Sequence, residues 1–204
     1  MLSRRFILLT AGVLSISPAA FAVADANVGP ADIVRGFDDA LLQAMENGRR
    51  LGFAGRRDII APAIHRAFDL PLMTRLMTGL QWQGLSSDEQ AKLVVAFSDF
   101  SVASYANHFD DYSGESFEVD SQPVDQGNGD MVIKTRLVQP KNDAVQLNYL
   151  LRKSDQGWKI IDVYLSGTIS ELAARRSEFS SVMRRGGVAA LIDQLHKKTA
   201  QLAH

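Results

Sequence analysis

The spacing of apolar residues changes twice along this chain, and that limits the fold more than any other feature. Over positions 33–100 the apolar residues recur every third or fourth place; over 117–165 they alternate; from 169 onward the helical spacing returns. A period near 3.6 marks amphipathic helices, and a period of 2 marks half-buried strands. The order helices, strands, helices argues against a repeating βαβ arrangement and predicts an α+β fold. Short strand runs joined by tight turns predict an antiparallel sheet.

Local signals place the elements. Pro30 suits the first turn of a helix, with Asp32 near its positive end, and Val34, Phe37, Leu41 and Met45 follow before Gly48 stops it. A second helix is expected over 56–68, begun or interrupted by Pro62. Asp69 reads as the N-cap of a third, in which Leu72, Leu76 and Leu80 recur every fourth residue, with Met73 and Met77 beside them. Ser86 and Glu89 form a capping box ahead of Leu93, Phe97 and Phe100. Four strands follow. Phe117 and Val119 open the first, Ile133, Thr135 and Leu137 belong to the second, Val145, Leu147 and Tyr149 to the third, and 158–165 forms the fourth. Gly167 ends the sheet. Thr168 and Glu171 read as another capping box, and Gly186-Gly187 divides the closing helical stretch.

Length and composition fit a single ordinary domain: 204 residues, 46% hydrophobic and 22% charged. The net charge of −1 supplies no positive field for a polyanion, so no nucleic-acid partner is expected. With no cysteine, disulfides, thiol catalysis and cysteine metal sites are excluded. Arg4 and Arg5 precede an apolar stretch over 6–16, then Pro18 and the small-residue site Ala20-Phe21-Ala22. That is the plan of a cleavable signal peptide over 1–22, leaving one domain over 23–204. The apolar run is shorter than the ~20 residues that span a bilayer. Ser3-Arg4-Arg5-Phe6 resembles a twin-arginine export signal, and ordinary secretion stands beside it. Either route predicts a periplasmic protein.

Catalytic signatures are missing. The chain has no G-x-S-x-G, no H-E-x-x-H, no phosphate-binding glycine loop and no EF-hand loop. His65 and His108 sit on separate expected helices. The pairs Asp38-Asp39 and Asp110-Asp111 read as solvated charge, because helical neighbours point apart. Asp162 stands on the expected face of Trp158, Ile160 and Tyr164. A carboxylate there needs a partner, such as Arg136 or Arg152, or it serves as the general base of a small enzyme. No catalytic residue, metal site or cofactor is otherwise expected.

The text Phe68-Asp69-Leu70-Pro71-Leu72-Met73-Thr74-Arg75, with Gly79-Leu80-Gln81-Trp82, resembles the MlaC-type periplasmic lipid-binding proteins, also called the toluene-tolerance family. The resemblance continues through Tyr112-Ser113-Gly114-Glu115 and Gly157-Trp158-Lys159-Ile160-Ile161-Asp162-Val163 to Arg176, Phe179 and Gly187. It implies a strongly curved four-stranded antiparallel sheet packed with helices, NTF2-like in shape, around a cavity for acyl chains. It further implies a carrier of phospholipid between an outer-membrane lipoprotein complex and an inner-membrane ABC transporter with its MCE-domain partner. The stretches 68–75 and 107–119 are similar to members linked to hopanoid biosynthesis, so a hopanoid or other polycyclic lipid is the alternative cargo. Trp158 and Asp162 look structural in that family. The expected cavity lining is Leu72, Leu76, Leu80, Phe97 and Phe100 from the helices. From the sheet it is Leu137, Leu147, Tyr149, Ile161, Val163 and Leu165, with the strand register open by one residue because a slip exchanges the faces. Arg75, one residue before Leu76, is the expected contact for a headgroup phosphate.

Overall fold

The computed structural model describes residues 28–203, so the expected export segment over 1–22 lies outside the described residues. Four helices come first: α1 (Pro30–Glu46), α2 (Gly48–Ala67), α3 (Leu70–Thr78), a 3-10 turn over Gly79–Gly84, and α4 (Ser87–His108). The strands are β1 (Ser116–Val119), β2 (Val124–Gly127), β3 (Asp130–Ile133), β4 (Thr135–Gln139), β5 (Asn142–Ser154), β6 (Gly157–Leu165) and β7 (Ile169–Ser170). The long helix α5 (Glu171–Leu202) ends the described chain. The fold is α+β, as the change of period predicts.

Most caps stand where the sequence puts them. Pro30 opens α1, and the Gly29 amide donates to the Asp32 carboxylate at 3.2 Å. The Leu72 amide donates to Asp69 at 2.9 Å at the head of α3. Ser86 and Glu89 exchange hydrogen bonds at the head of α4. Two expectations need correction. The second helix begins earlier than residue 56 and carries Pro62 in its interior; its break is at Gly52, whose φ of 62° and ψ of −172° only glycine adopts readily. The head of α5 is capped by Ser170, whose hydroxyl accepts from the Ala173 amide at 2.9 Å, and Thr168 instead belongs to a turn on Leu165. The break in α5 is at Gly187, with φ 67° and ψ −164°.

The sheet follows the four expected alternating runs, yet it resolves into seven strands. β1 and β2 lie end to end along β4 and β3, and β4 and β3 in turn lie end to end along β5. The first run breaks at 120–123, where Asp120 caps the Gln122 amide, and the second at Lys134. Extra residues such as those at 120–123 bend a strand and raise its twist, whereas the register of the second run on β5 continues across Lys134. β5 pairs with β6 on its other side, and β7 adds two residues to β6 after Gly167, where the sheet was expected to end. The free edge of β6 is further covered by Phe68, which bridges to Ile160.

One irregularity inside β6 controls what faces the helices. Tyr149 is opposite Val163 and Leu150 opposite Asp162, but Leu151 is opposite Ile160. Ile161 is the extra residue of a bulge. The inward face therefore runs Leu165, Val163, then Ile160, and Asp162 does not share a face with Trp158 and Ile160 as expected. α1 packs on β1, β3 and β6, while α4 packs against α2, α3 and α5. Edge-to-face aromatic contacts tie these layers together. The ring of Phe37 lies 4.9 Å from Phe68, 5.2 Å from Tyr105 and 6.1 Å from Tyr149.

Candidate functional site

Between the sheet and the helices lies a cavity of about 560 Å³. That is within the range of small-molecule sites, ~300–1,000 Å³. Its helical wall holds Phe97 and Phe100 from α4, and its sheet wall holds Leu137, Leu147, Tyr149, Val163 and Leu165. These are expected lining residues that the structure brings together. Alternation puts Leu147 and Tyr149 on one face of β5, and pairing sets Val163 beside Tyr149.

Other expected lining residues lie elsewhere. Leu76 is 38% exposed and Leu80 is 86% exposed, and Leu72 is half-buried outside the cavity. α3 turns a different face inward: Leu70, Met73, Thr74, Met77 and Thr78 are buried, and Leu70 and Met73 reach the cavity. Two of those positions are threonines whose hydroxyls donate to the Leu70 and Thr74 carbonyls at 2.7 Å each. A threonine satisfied within its own helix can be buried, so the stripe of leucines pointed to the wrong face. Ile161 is buried but off the cavity, because the β6 bulge gives its place on the inner face to Ile160. Arg75 is exposed and does not line the cavity.

Sequence reasoning missed Tyr105, Arg175 and a buried acid. Tyr105 stacks on Phe109 at 5.8 Å inside the wall. Asp38, which is not itself a lining residue, is 1% exposed rather than solvated, and the hydroxyl of the lining residue Tyr149 donates to its Oδ1 at 2.7 Å. Its Oδ2 has no partner among the described residues. Burial pushes the Asp38 carboxyl up to about 7, and the hydrogen bond from Tyr149 only partly offsets this. Burial also raises Tyr105 and Tyr149, so both phenols stay neutral. The helical phase 34, 37, 38, 41 did place Asp38 at the edge of the α1 stripe; its polarity argued the other way.

Asp162 meets neither Arg136 nor Arg152, which pair with Glu118 and Asp130 instead. Its carboxylate accepts from the Val163 amide at 2.8 Å, the Ser170 hydroxyl at 2.5 Å and the Leu172 amide at 3.0 Å. It lies outside the cavity lining and ties β6 to the head of α5. Within the cavity, the Ser101 hydroxyl donates back to the Phe97 carbonyl at 2.8 Å, and His108 Nδ1 lies 2.6 Å from the Ser104 carbonyl. Neither side chain is poised on the other as nucleophile and base. The arrangement is an apolar container whose wall carries two neutral phenols, Tyr105 and Tyr149, together with solvent-reaching charged residues.

The family model described as MlaC protein matches residues 36–197. A solved structure from Ralstonia solanacearum, described as a phospholipid-binding protein in complex with a phospholipid, superimposes with a TM-score of 0.74. It is 22% identical, and the match covers 87% of this chain and 100% of that one. No curated relative matches the chain.

Proposed function

The chain belongs to the MlaC family, and from that premise we propose that it is a periplasmic carrier that shields the acyl chains of a phospholipid in its cavity. The observation that carries this reading is the container itself, a cavity of about 560 Å³ walled by Phe97, Phe100, Leu147, Val163 and Leu165. In this reading residues 1–22 are a cleaved export signal and 23–204 the mature lipid-binding domain. The carrier takes its lipid from one membrane complex and delivers it to another. On the outer side stands a lipoprotein complex, and on the inner side an ABC transporter with its MCE-domain protein.

The energetics suit a carrier. Each buried CH₂ contributes about 0.8 kcal/mol against water, so a two-tailed lipid is bound to its membrane by on the order of 25 kcal/mol gross. A cavity of similar polarity offers nearly the same environment, which makes exchange close to level. Direction then comes from the membrane partners. A base at Asp162 finds no support, because that carboxylate is consumed by structural hydrogen bonds outside the cavity.

Native mass spectrometry of the exported protein should show co-purifying phospholipid, and stripped protein should take up lipid from vesicles. A polycyclic lipid in its place would redirect the assignment to hopanoid-type cargo. Protein that is always empty and takes up nothing overturns the reading.

A further inference from the structure

The charged residues that line the cavity are Asp110, Asp111, Glu115, Glu171 and Arg175, and all of them reach solvent, so they mark its mouth. Arg175 is the one fixed cation in this set. Its guanidinium carbon sits 4.9 Å from the centre of the Phe100 ring, and Phe100 is itself cavity wall. Nη1 donates to Glu178 at 3.3 Å, a carboxylate also taken by Lys198 at 2.5 Å. Glu171 stands 3.6 Å from Nη2, beyond hydrogen-bonding distance. A guanidinium carries five N–H donors in a planar fork that matches two oxygens of a phosphate. Only one N–H of that fork is taken by a hydrogen bond, although two carboxylates, Glu171 and Glu178, ion-pair with it; the side chain is held over the cavity wall and is only 27% exposed.

The acids of the mouth are unevenly neutralised. Asp111 is held by Arg49 through bonds of 2.9 and 3.1 Å. Asp110 and Glu115 form no ion pair among the described residues, and Glu115 accepts one hydrogen bond, from the Ser113 amide at 2.5 Å. Glu171 pairs with Arg175, so the mouth presents one cation that is ion-paired but keeps free N–H donors, and a net excess of carboxylate. A ligand bearing only negative charge gains from the first and is repelled by the second, whereas one that carries both signs gains from both.

We propose that this mouth selects phospholipids by headgroup: Arg175 binds the phosphodiester, and Asp110 and Glu115 face a headgroup ammonium, so amine-bearing zwitterionic lipids are taken in preference to anionic ones. The inference rests on the carrier reading above and adds the chemical class of the cargo. It also moves the phosphate contact from Arg75, which is off the cavity, to Arg175 on α5.

The test uses the full mature chain, stripped of lipid and incubated with vesicles of equal phosphatidylethanolamine and phosphatidylglycerol bearing identical acyl chains. Bound lipid is extracted and quantified by mass spectrometry. The expected ratio favours phosphatidylethanolamine about fivefold, equivalent to about 1 kcal/mol, and shrinks as salt is raised. Asp110→Asn with Glu115→Gln should bring the ratio close to one by admitting phosphatidylglycerol. Arg175→Gln should lower uptake of both lipids; because Arg175 also packs on Phe100, its melting temperature is measured alongside, and the carboxamide variant carries the test if the arginine variant unfolds. Equal uptake of the two lipids by the unaltered chain overturns this inference and leaves the carrier reading standing. So does a ratio that the carboxamide substitutions fail to move. Absence of any lipid overturns both.

Discussion

Asp38 shows how far one side chain departs from what its neighbours in sequence suggest. Its carboxyl holds a proton up to about pH 7 in the folded protein, against 3.8 for the unfolded group, because burial penalises the charged form. Between those values the folded state keeps a proton that the unfolded state has released. Stability contributed by this group is therefore complete below about pH 4 and is lost as pH rises towards 7. At about 1.4 kcal/mol per pH unit the loss is on the order of 4 kcal/mol over the window. Asp38→Asn cannot ionise and keeps an acceptor for the Tyr149 hydroxyl. Thermal unfolding of this variant should lose most of the acid-side gain in stability and exceed the unaltered protein at about pH 8. An unchanged pH profile would mean that another group titrates in this range.

Among the elements, the junction of β6 and α5 depends on Asp162. Three donors from Val163, Ser170 and Leu172 converge on its carboxylate, and two of them come from the segment that starts the helix. Removing the acceptor leaves buried or half-buried donors unpaired. Asp162→Ala should lower stability by about 2–4 kcal/mol, measured by denaturant unfolding, while Asp162→Asn should keep part of it. Equal stability of all three proteins would show that water replaces these bonds at no cost. The same strand explains why its register was only half legible. Alternation over 158–165 named the strand, but the bulge at Ile161 reverses the faces midway, and no local residue type announces it. On α3 the helix and its cap at Asp69 were readable, while the buried face was not. Thr74 and Thr78 satisfy their own hydroxyls, so the helix buries them and turns Leu76 outward.

At the scale of the whole molecule, the question is whether the space between sheet and helices is room for a ligand or slack in a core. Leu147 sits on the cavity wall at the middle of β5. Leu147→Trp should fill the space, cut lipid uptake several-fold and leave the melting temperature nearly unchanged, since a cavity accepts volume that a packed core rejects. A loss of about 1–3 kcal/mol with uptake intact would instead be the signature of overpacking. Leu76, 38% exposed and off the cavity, serves as the control position for the same substitution. The sequence by itself determined the α+β order, the antiparallel sheet, most helix caps and the apolar inner face of β5, because these follow from backbone periodicity and from hydrogen bonds between near neighbours. Tertiary structure alone decided which face of α3 is buried, which side of β6 turns inward, why Asp38 is kept from water and which arginine lines the cavity. Each of those is settled by packing between residues far apart in the chain, such as Asp38 and Tyr149, 111 residues apart, and local pattern does not decide between the alternatives.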